Sequence, residues 1–272
     1  MIASLADVLQ DALKNRYAVA GLVCLGWEDM RAYARAAEAE GVPVILQAGP
    51  GCRAHTPIPV LAAMMRSVAE SVSVPVVVHL DHSRDLDECR NAIAAGFTGV
   101  MYDGSRLPLG ENIRHTSEVV SMAHAAGVSV EGEIGFVGYA EGESSAGTDP
   151  DEAQRFAVQT GVDAMAISIG NVHLQTESAT ELDEELLSKI EASTEVPLVI
   201  HGGSGVPKAQ RAALARGSAI CKYNIGTELR QAFGRDLRQV LAEHPQRFDR
   251  IEILADLEAR IVLTTRELLR AL

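Results

Sequence analysis

The sequence predicts an α/β fold: a single (β/α)8 TIM barrel over residues 1–272, with an extra N-terminal helix and a C-terminal helical segment. Three observations predict it. Short apolar runs alternate with helical stretches eight times, the pattern of parallel βα units. No linker, low-complexity segment or internal repeat divides the chain. Acidic and imidazole side chains recur where the apolar runs end, and in such barrels the chemistry sits at the carboxyl ends of the strands.

Ser4 to Lys14 reads as a capped helix, with Leu5, Val8, Leu9, Ala12 and Leu13 in one stripe. Tyr17 to Cys24 is the first strand. A helix over Glu28 to Glu40 stops at Gly41. Val42 to Leu46 is the second strand, and Gly49-Pro50-Gly51 signals a loop. A helix over Pro57 to Ser71 leads to the third strand. There Val76, Val77 and Val78 follow Pro75, and the run ends in His79-Leu80-Asp81-His82. A helix over Leu86 to Ala95 closes at Gly96, and Gly99 to Tyr102 is the fourth strand, ending at Asp103. Leu109 to Ala126 is helical, and Val128 to Ile134 is the fifth strand, carrying Glu131 and Glu133. A long loop rich in Gly, Ser and Glu runs from Gly135 to Asp149. The helix over Pro150 to Thr160 has an acidic first turn, which suits its dipole. Ala164 to Ile169 is the sixth strand, and a polar loop reaches about Thr180 before a helix that ends at Ser193. Pro197 to His201 and Ala219 to Tyr223 are the last two strands, separated by a helix over Pro207 to Arg216. Helices over Thr227 to Glu243 and Asp249 to Ala271 complete the chain.

The composition is 47% hydrophobic and the net charge is −13, so nucleic acid and anionic membranes are not expected partners. An anionic substrate then needs a local electropositive pocket. Cys24, Cys52, Cys89 and Cys221 stand far apart, as reduced buried thiols of a cytoplasmic protein would. Neither a membrane span nor a signal peptide is expected, because no apolar stretch approaches about 18 residues.

Six acidic or imidazole groups converge on the predicted rim: Asp81, His82, Asp103, Glu133, His173 and His201. Three imidazoles from three strand ends suit Zn²⁺, which takes His nitrogens and keeps an open position when catalytic. Each residue alone is equally at home in a rim hydrogen bond; Glu133 could be an ordinary interior carboxylate and Asp103 a turn cap. His79 lies deeper and reads as core. Two glycine turns follow the last two strands, His201-Gly202-Gly203-Ser204-Gly205 and Asn224-Ile225-Gly226-Thr227. Their backbone N–H groups could hold an anion, as loops there commonly do. They could equally be tight connections.

Six ordered motifs carry a family resemblance. They are His-Leu-Asp-His at 79–82, Met-Tyr-Asp-Gly-Ser at 101–105 and Val-Glu-Gly-Glu-Ile-Gly at 130–135. Ile-Gly-Asn-Val-His at 169–173, His-Gly-Gly-Ser-Gly-Val-Pro at 201–207 and Lys-Tyr-Asn-Ile-Gly-Thr-Glu at 222–228 follow. Together they resemble the class II, zinc-dependent fructose-bisphosphate and tagatose-bisphosphate aldolases, most strongly from Pro75 to Glu228. The resemblance implies a lyase that splits a ketose phosphate into dihydroxyacetone phosphate, or a related ketone, and an aldehyde. By motif position His82, His173 and His201 would hold the catalytic zinc, and Asp103 and Glu133 would match a second cation position. Asp81 would be the acid/base at the aldehyde-derived hydroxyl, and Glu141 in the long loop would take the ketone-side proton. Gly202, Gly203, Ser204, Asn224, Ile225, Gly226 and Thr227 would hold the ketone-side phosphate and hydroxyls. A homodimer or homotetramer is implied as well.

The chain departs from the family at the phosphate-contacting periphery. Leu174 stands where Gly often follows the second zinc histidine, and a lysine usual nearby is missing. Gly21 to Gly26 replaces an Asn-rich turn, and a serine common after the second strand is absent from Gln47 to Gly51. These changes point to a substrate other than the usual hexose bisphosphate. Another zinc reaction on the same scaffold, such as epimerisation or hydrolysis, or a non-catalytic sugar-phosphate binder, are the competing expectations. Keeping both Asp81 and Glu141 argues against the binder, which needs neither.

Overall fold

A computed structural model describes residues 1–142, 144–177 and 180–272. Among them eight parallel strands close into a barrel in chain order. They are β1 (Val19–Val23), β2 (Val44–Ala48), β3 (Val76–Ser83), β4 (Gly99–Tyr102), β5 (Ser129–Ile134), β6 (Ala164–Ile167), β7 (Leu198–Ile200) and β8 (Ile220–Ile225). The final pairing, β1 with β8, aligns Gly21 with Asn224.

The strands alternate between two apolar layers, as the pleat requires. Val76, Val78 and Leu80 face the surrounding helices. Val77 faces inward and joins Val19, Ile45, Val199 and Cys221 in a second core cluster. That inner cluster is closed from below by α1 (Leu5–Asn15), which buries Leu5, Val8, Leu9 and Ala12 against it. The Ser4 hydroxyl caps α1 by accepting from the Asp7 N–H. The predicted N-terminal helix is therefore the barrel's floor, and chemistry is left to the opposite mouth.

The helical layer comprises α2 (Trp27–Glu40), α3 (Pro50–His55), α4 (Ile58–Glu70), α5 (Leu86–Ala95), α6 (Leu109–Ala125), α7 (Pro150–Thr160), α8 (Glu184–Ser193), α9 (Lys208–Gly217), α10 (Thr227–Glu243) and α11 (Arg250–Leu269). The C-terminal segment packs on the barrel's own α2, where the buried Glu258 accepts from both Arg31 and Arg35.

Two expectations change. The Gly49-Pro50-Gly51 stretch opens α3 rather than a loop, because Pro50 occupies the first helical position, where its missing N–H costs nothing. β8 continues past Tyr223 to Ile225. In the two predicted loops, residues 143, 178 and 179 lie outside the described residues. All four cysteines are free and buried. Among the described residues no helix is long and apolar enough to cross a membrane.

Candidate metal centre

The mouth of the barrel is built first by a fault in β3. The pairing of β3 with β4 shifts register between Leu80 and Ser83, and His82 adopts a left-handed backbone with φ 52°. Both Asp81 and His82 consequently line one cavity of about 590 Å³. Arg53 of α3 braces this tip from behind. Its guanidinium donates to the carbonyls of Ala48, Asp81 (2.6 Å) and His82 (3.2 Å), and pairs with both oxygens of Glu88 at 2.8 and 2.9 Å.

His82, His173 and His201 each offer a ring nitrogen, and these nitrogens all lie within 4.8 Å of one another. Ring centroids are 4.5 Å apart for His82 and His201, 5.0 Å for His82 and His173, and 5.6 Å for His173 and His201. A tetrahedral ion with Zn–N near 2.1 Å needs nitrogens about 3.4 Å apart, a contraction within reach of small side-chain rotations. His201 Nδ1 and Glu133 Oε2 are buried and 3.3 Å apart, yet neither makes a hydrogen bond of good geometry. Buried ligand-type atoms left without hydrogen bonds, beside two further imidazoles, are what a cation would satisfy once it displaces the His201 proton, so these residues fit a metal. His82, Asp103 and Glu133 form a second such group within 4.8 Å.

Each ligand candidate is held by its neighbours. His82 Nδ1 lies 3.2 Å from Asp103 Oδ2. That carboxylate is fixed in turn by Arg84, at 3.0 and 2.9 Å, and by the Ser105 hydroxyl at 2.6 Å. His173 is pinned through its backbone: it donates to Gly138 O and accepts from Ala140 N, which ties the long loop to it. The buried Asn171 amide donates to His201 O at 3.0 Å.

The charges are uneven. Burial disfavours protonated His201, but Glu131 and Glu133 outweigh it and push the group up to about 10. His173 is driven down to about 2 by burial and by repulsion from His82 and His201. Burial works against ionised Asp81, yet the cationic forms of His82 and His201, with Lys222, hold it below the ordinary carboxylate range. Asp81 therefore stays a carboxylate, a state competent to accept a proton from a substrate hydroxyl.

Gly202, Ser204, Asn224, Gly226 and Thr227 line the same cavity, together with Val23, Leu25 and Pro50. Gly202 has φ +67°, and a Cβ there would sit 2.1 Å from Val172 O, so only glycine fits. Asn224 donates to Asp81 Oδ1 at 3.1 Å, while its own Oδ1 is buried without a partner.

The family model described as fructose-bisphosphate aldolase class-II matches residues 3–272. The chain belongs to that family. It is 37% identical to a fructose-bisphosphate aldolase of Geobacillus stearothermophilus over 263 residues, 93% of this chain and 90% of the other. It is 39% identical to a 6-phospho-5-dehydro-2-deoxy-D-gluconate aldolase of Shouchella clausii over 252 residues, 90% of this chain and 85% of the other. The crystal structure of the YdjI aldolase from Escherichia coli superposes with a TM-score of 0.85 at 31% identity, covering 100% of this chain and 97% of that one.

Not every residue predicted for this class II aldolase reaches the cavity. His201, Asp103 and Glu133 are buried and do not line it, and Glu141 is exposed on the long loop and does not line it either. Ile225 is fully buried in the helix-facing core, because it neighbours the inward Asn224 and the pleat turns it outward. Gly203 is buried against Tyr223, Asn224 and Ile225 of β8. Leu174 stands in the cavity wall with a left-handed backbone, φ 59°, a conformation glycine adopts without cost. Sequence reasoning assigned no role to Arg53, Glu131 or Lys222. An interior charge on an otherwise apolar strand was the available signal for the last two.

Proposed function

We propose that this aldolase reversibly cleaves a ketose phosphate to dihydroxyacetone phosphate, or a related ketone, and an aldehyde. The carrying observation is the meeting of His82, His173 and the buried His201 within 4.8 Å, with His82 and His173 lining one cavity with Asp81. These imidazoles would hold Zn²⁺, with Asp103 and Glu133 beside His82 offering room for a second divalent or monovalent cation. The ion supplies Lewis acidity for the negative charge that develops when a carbon–carbon bond next to a carbonyl breaks. Asp81 accepts the proton of the hydroxyl that becomes the aldehyde and returns it in the condensation direction. Asn224 orients Asp81 through its amide, which donates to Asp81 Oδ1. Glu141 takes the ketone-side proton once its loop swings over the cavity. The glycine turns at Gly202 to Ser204 and Gly226 to Thr227 receive the ketone-side phosphate.

The two named relatives act on different substrates, so family membership leaves the substrate open. Leu174 and the apolar wall of Val23 and Leu25 favour a ketose phosphate other than the usual hexose bisphosphate. The working protein is a single-domain cytoplasmic homodimer or homotetramer. Metal analysis with a screen of ketose mono- and bisphosphates tests the reading. About one zinc per chain and cleavage lost in Asp81→Ala are expected. Turnover of fructose 1,6-bisphosphate equal to or better than that of other ketose phosphates would remove the substrate claim. Unchanged cleavage by Asp81→Ala would remove the mechanism.

A further inference from the structure

Inside the barrel, below the three imidazoles, lies a set of fully buried ionisable groups that the proposed chemistry does not use. Glu131 of β5 is at its centre. Its Oε1 accepts from His201 Nε2 at 2.9 Å. Its Oε2 accepts from Lys222 Nζ of β8 at 2.5 Å and lies 3.5 Å from His79 Nε2. All four side chains have no solvent exposure. Burying a carboxylate and an ammonium is costly, and apolar side chains of similar volume often serve stability as well or better. Holding the barrel together therefore does not account for them.

The geometry assigns them another task. A carboxylate only accepts hydrogen bonds, so His201 Nε2 keeps its proton and Nδ1 is the nitrogen whose lone pair a metal would take, displacing any proton there. Nδ1 is the nitrogen turned toward Glu133, without a hydrogen bond of its own. We propose that Glu131 and Lys222 are positioning residues for the metal: Glu131 fixes the tautomer and orientation of His201, and Lys222 takes the second oxygen to lock the carboxylate in place. Carboxylates behind metal-bound imidazoles play this part in other sites. The same contacts remove Lys222 from any role as an amine nucleophile, since it is buried and committed. The inference rests on the reading of His82, His173 and His201 as metal ligands.

The test uses the full chain as wild type, Glu131→Gln and the double variant Glu131→Gln/Lys222→Met. Zinc affinity is read by chelator competition, the site by the visible spectrum of bound Co²⁺, and folding by thermal melting. Glu131→Gln should weaken zinc binding by about 10–100-fold and shift the Co²⁺ bands. The double variant removes the unpaired ammonium, so it should melt at or above the single variant yet keep its weakened affinity and altered spectrum. Should the single variant fold poorly, the double variant carries the comparison with wild type. Wild-type affinity and spectrum in Glu131→Gln would overturn the proposal. So would a double variant that regains affinity and spectrum together with its melting temperature, because the pair would then be structural only. A wild-type protein that binds neither zinc nor Co²⁺ would overturn the metal reading itself, a result separate from any variant's.

Discussion

Arg53→Met isolates the brace behind the catalytic tip. The guanidinium is 7% exposed and serves three carbonyls, those of Ala48, Asp81 and His82, besides Glu88. Methionine fills much of the same volume and donates nothing. Three buried acceptors then lose a charged donor, at about 1 kcal/mol each for groups that can accept elsewhere with a second lone pair. Glu88, at 27% exposure, can turn to water and adds little. The loss is about 3 kcal/mol, or a melting point lower by about 6–12 °C for a chain of this size. Activity should suffer more than stability suggests. The freed carbonyls belong to the proposed acid/base and a proposed metal ligand, and a displacement near 1 Å can cost about 100-fold in rate. We expect kcat to fall by about 10–100-fold while the far-ultraviolet spectrum is retained. Thermal melting and a coupled cleavage assay read both. A melting point within about 2 °C of wild type with unchanged kcat would refute the brace.

Zinc affinity should rise with pH. His201 is held protonated up to about 10 by Glu131 and Glu133, so metal must displace that proton. Below that value each pH unit should gain about tenfold, as calorimetry in buffers of different ionisation heat would show through about one proton released per ion. Treatment with a strong chelator should abolish cleavage, and stoichiometric zinc should restore it. Leu174→Gly relieves a left-handed leucine, worth about 1–2 kcal/mol, against roughly 0.5–1 kcal/mol of added chain entropy. Its melting point should stay level or rise by a few degrees, with a lower KM for bisphosphate substrates; a clear loss of stability would contradict the strain. Gly202→Ala drives a methyl to 2.1 Å from Val172 O, a backbone atom with no freedom to retreat. We expect a loss of about 2–4 kcal/mol and a raised KM; wild-type melting would contradict the packing.

The barrel was legible because its evidence is periodic. Each apolar run and each helix stop repeats a local rule, and the rim residues fall where runs end. The three histidines were legible as a group for the same reason. What escaped notice depends on contacts far apart in sequence. Glu131 is an interior charge whose meaning needs Lys222, 91 positions away, and His201, 70 positions away. Arg53 sits in a stretch whose glycines suggested a loop, though Pro50 also marks a helix start. Ile225 was misplaced for want of applying alternation from Asn224. The position of Glu141 follows from the pose of a long loop, which residue spacing does not encode.

The register fault in β3 bears on any attempt to move this chemistry to another scaffold. On an unbroken strand Asp81 and His82, as immediate neighbours, would be committed to opposite sides, one to the lumen and one to the helices. Here the slip between Leu80 and Ser83 turns the second of them back toward the first. Grafting the tetrapeptide onto a regular strand would transplant half a centre. The graft has to carry the irregular backbone and the guanidinium that props it, or the two side chains will never see the same substrate.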